Sequence, residues 1–113
     1  MKRPVLAFLG LLASAAWLAF ATPSGAQSAP REIVVVMDNM TFGRLPTDAK
    51  VGDVIIWDNS DTVQHTVTAR DGSFDVRLQP GKRGRTVLRK AGSLAIYCIY
   101  HPMMRATLRV AAN

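Results

Sequence analysis

Short runs of β-forming residues, separated by turn residues every few positions, fill the chain after residue 31. The predicted strands span residues 32–37, 40–45, 54–57, 65–69, 86–88, 93–98 and 105–110. The last of them alternates apolar residues with Thr107 and Arg109, as a strand with one buried face does. No run keeps the 3.6-residue apolar period of a helix over the length that a helix needs. The pattern therefore predicts an all-β domain, a small antiparallel sandwich of roughly seven or eight strands.

The N-terminal segment has a different composition. The chain starts Met1-Lys2-Arg3, residues 4–30 carry no charge, and the small residues Ser24-Gly25-Ala26 follow the apolar centre. A basic start, an apolar centre and a small-residue exit are typical of a secretory signal peptide. A retained transmembrane anchor is the alternative, since the apolar centre is at the short end of what spans a bilayer. We expect a helical signal peptide over residues 1–26 and one exported domain over residues 27–113.

Size and charge exclude several classes of function. A domain of this size builds one small core, which excludes a two-domain enzyme and a Rossmann or barrel catalyst. Between residues 70 and 113, nine Lys and Arg face two Asp and Glu. The clusters Lys82-Arg83-Gly84-Arg85 and Arg89-Lys90 among them are interpreted either as a solvated turn and strand edge or as an electrostatic guide for an acidic partner. They lack interleaved aromatic residues, so we expect no nucleic-acid partner.

Cys98 is the single cysteine of a chain that we expect to be exported. Small exported domains usually pair their cysteines. An unpaired one forms an intermolecular disulfide, stays buried and inert, reacts as a thiol, or binds a metal. Strand parity places Cys98 inward together with Leu94 and Ile96, and it places His65 inward together with Val63 and Val67.

The residues after Cys98 favour the metal. His101 and Met104 follow it at three-residue spacing on the loop before the last strand, and His65 supplies a second imidazole from a distant strand. A thiolate, two imidazoles and a weak thioether suit copper in both of its oxidation states, Cu(I) and Cu(II). Each residue alone has a plainer interpretation as core filler or as a hydrogen-bonded core histidine. Their occurrence together predicts a site for one copper ion.

The sequence resembles the cupredoxins, or small blue copper proteins, and most closely amicyanin and its plastocyanin-like relatives. The motifs that carry the resemblance are Met40-Thr41-Phe42, Val51-Gly52-Asp53, Trp57-Asp58-Asn59-Ser60-Asp61, His65-Thr66-Val67, Phe74-Asp75, Pro80-Gly81, Ala91-Gly92 and Cys98-x-x-His101-Pro102-x-Met104. The short spacing of the last motif is similar to the amicyanin ligand loop. The resemblance covers nearly all of residues 27–113 and implies a cupredoxin-like Greek-key sandwich.

The resemblance also implies a role for each candidate ligand. His65 is then the buried equatorial imidazole, Cys98 the thiolate, and His101 the second imidazole, near the surface. Met104 is the long axial sulfur, while Met103 is a surface or packing residue.

Two positions depart from the family pattern. Relatives often carry Asn where this chain has Thr66, whose hydroxyl is expected to do part of the work of tying the two ligand segments together. Amicyanin has proline where this chain has Tyr100. Tyr100 keeps a backbone N–H for the Cys98 sulfur, and such bonds shift metal potentials.

The resemblance implies one-electron transfer between protein partners in a bacterial periplasm. No substrate is turned over, so we expect that the protein is not an enzyme. Donor and acceptor are expected to dock transiently near His101, Pro102 and Met103, oriented by Arg105 and the basic second half. We expect a monomer, with no membrane contact after signal cleavage. The alternatives are a periplasmic copper carrier or chaperone using the same ligands, and a thiol-reactive or structural module without metal.

Overall fold

The computed structural model describes residues 1–5, 7, 10–21 and 29–113. Within them the chain forms eight strands and no helix. The strands are β1 (Glu32–Asp38), β2 (Thr41–Phe42), β3 (Val54–Asn59), β4 (His65–Ala69), β5 (Asp75–Leu78), β6 (Arg83–Val87), β7 (Gly92–Tyr97) and β8 (Arg105–Val110). The all-β fold class and the strand count are as predicted from the sequence.

The N-terminal segment does not show the expected helix in its described residues. The expected cleavage region, residues 24–26, lies outside the described residues. Among the described ranges, no helix has the length and apolar character to cross a membrane.

The strands form two four-stranded sheets, in the orders β2-β1-β3-β6 and β5-β4-β7-β8. The strand pairings of the described residues are antiparallel except for β1 and β3, which run parallel with Val35 opposite Trp57. Residues 43–53 cause this exception, because they carry the chain back to the end where β1 begins. The backbone N–H of Val54 there donates to the carbonyl of Arg31.

Two strands at the edges differ from the sequence prediction. Strand β5 was not predicted, and β6 begins at Arg83 rather than at residue 86. Both segments are rich in charged residues that point to solvent. The alternation of apolar residues in them is therefore too short to be recognised in the sequence. Gly84 lets the two strands approach closely, because a Cβ atom there would lie 2.6 Å from Val76 Cγ1.

The core lies between the two sheets and extends to one end of the sandwich. Its fully buried side chains come from both sheets: Val35, Met37, Ile55, Trp57, Val67, Ile96 and Leu108. The Trp57 indole N–H donates to Thr86 Oγ1 at 2.9 Å, so this large side chain is buried with its polar atom satisfied. The same buried cluster includes Cys98 and Met104. The candidate ligands therefore lie at an end of the core.

Candidate metal centre

His65, Cys98 and His101 come together at the end of the sandwich where β4 begins and β7 ends. One nitrogen of each imidazole and the sulfur all lie within 4.8 Å of one another. Cys98 Sγ is 3.7 Å from His65 Nδ1 and 3.5 Å from His101 Nδ1. The two imidazole rings meet edge to face, with centroids 5.0 Å apart. Three donor atoms thus converge on one point, as a single metal ion requires.

The loop between β7 and β8 is closed by its own backbone hydrogen bonds. The Cys98 N–H donates to the Met104 carbonyl at 2.9 Å, and the Met104 N–H donates to the His101 carbonyl at 2.8 Å. The His101 N–H donates to the Cys98 carbonyl at 3.3 Å. These bonds fold the loop back on itself and bring the His101 ring to the sulfur.

Burial separates the candidate ligands. The side chains of His65 and Cys98 are inaccessible to solvent, as strand parity predicts, whereas His101 is half-buried. Met104 is 3% exposed and packs in the cluster that holds Cys98, whereas Met103 is 86% exposed. Of these two methionines, Met104 is the one whose thioether lies on the core side of the loop.

Asp61 holds the inner histidine. Its Oδ2 lies 2.7 Å from His65 Nε2, so the carboxylate accepts the Nε2 proton and leaves the Nδ1 lone pair for a metal. Asp61 also accepts the backbone N–H groups of Asn39 and Met40 at 3.0 and 2.9 Å. The hydrogen bond from His65, followed by that from Met40, holds the pKa of Asp61 below its usual value. Sequence reasoning gave Asp61 no role, although a carboxylate four residues before His65 was the available signal.

Two hydrogen bonds of Thr66 connect β4 with the loop between β7 and β8. Its backbone N–H donates to Cys98 Sγ at 3.3 Å, and its Oγ1 accepts the Ile99 N–H at 2.9 Å. Thr66 therefore links the two ligand segments, as expected for the residue that replaces the asparagine of relatives.

The Cys98 thiol is activated despite its burial. Burial alone raises its pKa, but the Thr66 backbone N–H, the two imidazoles and the Tyr100 backbone N–H outweigh that effect. The net result lowers the pKa of Cys98 from 9.0 to about 6. The sulfur is therefore largely thiolate at neutral pH, which is the form that binds metals.

Comparison with known proteins decides the family. Residues 10–110 match the model of the cupredoxin-like domain. The chain belongs to the cupredoxin-like family. It is 34% identical over 101 residues to the methylamine utilization protein MauL of Methylorubrum extorquens (strain AM1), a match that covers 85% of this chain and 89% of that relative.

Solved amicyanin structures share the fold of this cupredoxin. The reduced state of one amicyanin mutant aligns with a TM-score of 0.60 at 25% identity, over 70% of this chain and 81% of the other. The Cu(I) form of a second mutant aligns with a TM-score of 0.61 at 25% identity, over 75% and 87%. The predicted resemblance to cupredoxins of the amicyanin type is confirmed.

The donor set of this cupredoxin fits one copper ion. A low-pKa thiolate and two imidazoles, with a thioether in the same buried cluster, combine the soft sulfur that Cu(I) favours with the nitrogen that Cu(II) favours. Family membership and donor set together support a copper-binding electron-transfer protein of the amicyanin type.

The exposed end of the loop lies beside His101. Tyr100 is 45% exposed and Met103 is 86% exposed, and Pro102 between them is also exposed. Arg105, the first residue of β8, is exposed as well. The half-buried imidazole is thus flanked by accessible side chains that are mostly apolar.

Proposed function

We propose that this cupredoxin is a periplasmic type 1 copper protein that carries single electrons between protein partners. The observation that carries the proposal is the convergence of Cys98 Sγ with one nitrogen each of His65 and His101 within 4.8 Å. In this proposal those three atoms would hold the copper ion together with the thioether of Met104, which packs in the same buried cluster as Cys98.

The surrounding residues hold the donor atoms in place before a metal arrives. Asp61 fixes His65, Thr66 bonds to the Cys98 sulfur, and the backbone bonds of the loop fix His101. A bound copper ion would supply the one-electron couple. Because the donor atoms are already fixed, little has to move when the charge of the site changes by one, and transfer is fast.

Electrons are proposed to enter and leave through His101. Its ring connects the buried sulfur with the surface formed by Pro102 and Met103, where a partner docks for a short time. Arg105 and other exposed cations orient acidic partners before contact. The protein passes electrons on and turns over no substrate.

Export is part of the proposal. Residues 1–26 are the signal peptide, and residues 27–113 are the mature domain that works in the periplasm. N-terminal sequencing of the protein recovered from the periplasmic fraction of an expressing bacterium is expected to begin at Gln27. Recovery of the intact chain with the membrane fraction would instead identify an anchor.

Copper loading tests the electron-transfer proposal directly. We expect the purified protein with one equivalent of Cu(II) to show an intense thiolate-to-copper band in its visible spectrum. The Cys98→Ala variant loses the band, whereas Met103→Leu, as a matched control, keeps it. A colourless wild-type complex, or a band that survives in Cys98→Ala, would refute the proposal.

The same sample separates electron transfer from copper delivery. An electron carrier keeps its copper through repeated reduction and reoxidation in the presence of a chelator. A copper carrier or chaperone releases the ion when a chelator competes for it.

A further inference from the structure

A line of hydrogen bonds begins at the residue after Cys98 and runs outward through β4. The Ile99 N–H donates to Thr66 Oγ1 at 2.9 Å, and Thr66 Oγ1 lies 2.9 Å from Thr68 Oγ1. Thr68 Oγ1 in turn donates to Asp75 Oδ1 on β5 at 2.9 Å. The line therefore connects the ligand loop with the edge strand of the second sheet.

The line then returns to the loop along the surface. The second carboxylate oxygen of Asp75 accepts Nε and Nη2 of Arg77 at 3.3 and 3.0 Å. Arg77 Nη1 donates to the Tyr100 hydroxyl at 3.1 Å. Because Tyr100 follows Ile99 in the chain, the hydrogen bonds form a closed ring, which we call the loop clamp: Ile99, Thr66, Thr68, Asp75, Arg77 and Tyr100.

The carboxylate of Asp75 sets the direction of the two threonine hydroxyls in the clamp. An ionised carboxylate only accepts, so Thr68 must donate to it. Thr68 then accepts from Thr66, whose remaining lone pairs face the Ile99 N–H. Thr66 is inaccessible to solvent and Thr68 is 9% exposed, so these two side chains have little access to water as an alternative partner. Removing the carboxylate frees both hydroxyls to reverse, so the hydroxyl hydrogen of Thr66 can turn toward the Ile99 N–H and weaken that bond.

We propose that Asp75 and Arg77 are positioning residues that hold the ligand loop from outside the metal centre. Asp75 acts on the inner end of the clamp, through Thr68 and Thr66, and Arg77 acts on the outer end, through Tyr100. The inference rests on the proposed function, because the loop matters to the extent that Cys98, His101 and Met104 bind copper. It adds β5, an edge strand with no ligand of its own, to the machinery that shapes the site.

Amide hydrogen exchange in the metal-free protein, followed residue by residue by NMR, tests the clamp without copper. We expect Asp75→Ala to speed exchange of the Ile99 amide about tenfold, the effect of one lost hydrogen bond of ordinary strength. Asp71→Ala is the matched control, because it removes a carboxylate from the same hairpin that contacts Ser73 and Lys90 instead. Equal exchange at Ile99 in the two variants would overturn the proposal.

Tyr100→Phe keeps the test decisive if Asp75→Ala fails to fold, because it deletes a single exposed hydroxyl. It should speed Ile99 exchange by a smaller factor than Asp75→Ala, and the two effects should be non-additive in the double variant if the ring acts as a unit. No effect of Tyr100→Phe on Ile99 exchange would contradict the closed ring.

The copper-loaded variants test the link to function. Loss of the clamp should shift the reduction potential and the thiolate-to-copper band, and Asp71→Ala should shift neither. Faster exchange without a change in potential or band would overturn the positioning role and leave a clamp that only stabilises the fold. A wild-type protein without the band would refute the proposed function, while the exchange experiment would still decide whether the clamp exists.

Discussion

His65 and His101 approach the same sulfur but are held in different ways. His65 is inaccessible to solvent, and its outer nitrogen is bonded to Asp61, which is anchored in turn by two backbone N–H groups of the β1–β2 turn. His101 is half-buried on a loop that is closed by its own backbone bonds. The inner imidazole is therefore part of the core, whereas the outer one belongs to the surface.

This difference gives the two histidines separate functions in the site. A ligand fixed by the core keeps its geometry whatever the metal or the partner does. A ligand at the surface gives electrons a short route out, and the apolar residues beside it allow a partner to come close. Substitutions on the core side and on the surface side should therefore affect the site differently.

The largest contrast should come from deleting each ring in turn. We expect copper-loaded His101→Gly to lose the visible band of the wild type and to regain one when imidazole is added, because its place opens to solvent. His65→Gly should not recover, since that place is closed by the core. It also removes the ring partner of the Asp61 carboxylate, which keeps the backbone N–H groups of Asn39 and Met40. Equal recovery in an imidazole titration of both variants would contradict the division.

The Cys98 sulfur lies between the buried and the surface histidine. Its ionisation should make the stability of the metal-free protein depend on pH. The pKa of Cys98 is about 6 in the folded protein against 9.0 for a free thiol. Between these two pH values the thiol is ionised in the folded protein, whereas in the unfolded chain it is protonated. The free energy of unfolding should then rise with pH by up to about 1.4 kcal/mol per pH unit between 6 and 9. This stabilisation is complete above pH 9 and is lost as the pH falls through 6.

Urea unfolding with reductant and chelator measures this slope. Cys98→Ala should abolish it in that window, and a slope that persists in Cys98→Ala would show that other groups cause it.

Comparing Tyr100→Pro with Tyr100→Ala isolates the backbone N–H of residue 100, which only the alanine variant keeps. In the proline variant the rise should begin at a higher pH, because the pKa of Cys98 is then lowered less, and with copper this variant should have the lower reduction potential.

A more moderate effect is expected from the inner anchor. Asp61→Asn keeps the size of the side chain but removes the charge that orients the Nε2 proton of His65. Losing such an outer partner of a metal-bound histidine typically lowers metal affinity about 10–100-fold. Asp58→Asn is the control, because Asp58 pairs with Arg83 rather than with a candidate ligand. Competition with a Cu(I) chelator measures the copper affinity of both variants. Equal losses of affinity would show that Asp61 does not support His65 as a ligand.

The sequence predicted the parts of the site that depend on local pattern. Parity alone placed His65 and Cys98 in the core, because an alternating strand fixes which side chains point inward. The roles of Asp61 and Asp75 escaped prediction, since each depends on a partner brought close by the tertiary fold: Asp61 on the turn at Asn39, and Asp75 on Thr68 across a hairpin. The parallel pairing of β1 with β3 was not predicted, for a related reason. Both are apolar runs, and such runs carry no mark of strand direction.

The smallest effect should come from long-range charge on the outer side. Arg105 and Arg109 are both exposed on β8, but Arg105 adjoins the ligand loop, whereas Arg109 pairs with Ser93 near the opposite end. Arg105→Gln should slow electron exchange with the anionic complex hexacyanoferrate about twofold to fivefold at low salt, and Arg109→Gln should have less effect. The difference should vanish near 1 M salt, where charges are screened within about 3 Å. Stopped-flow kinetics at two salt concentrations can decide this. Equal effects of the two substitutions would mean that the net charge of the domain, rather than its placement beside His101, guides anionic partners to the site.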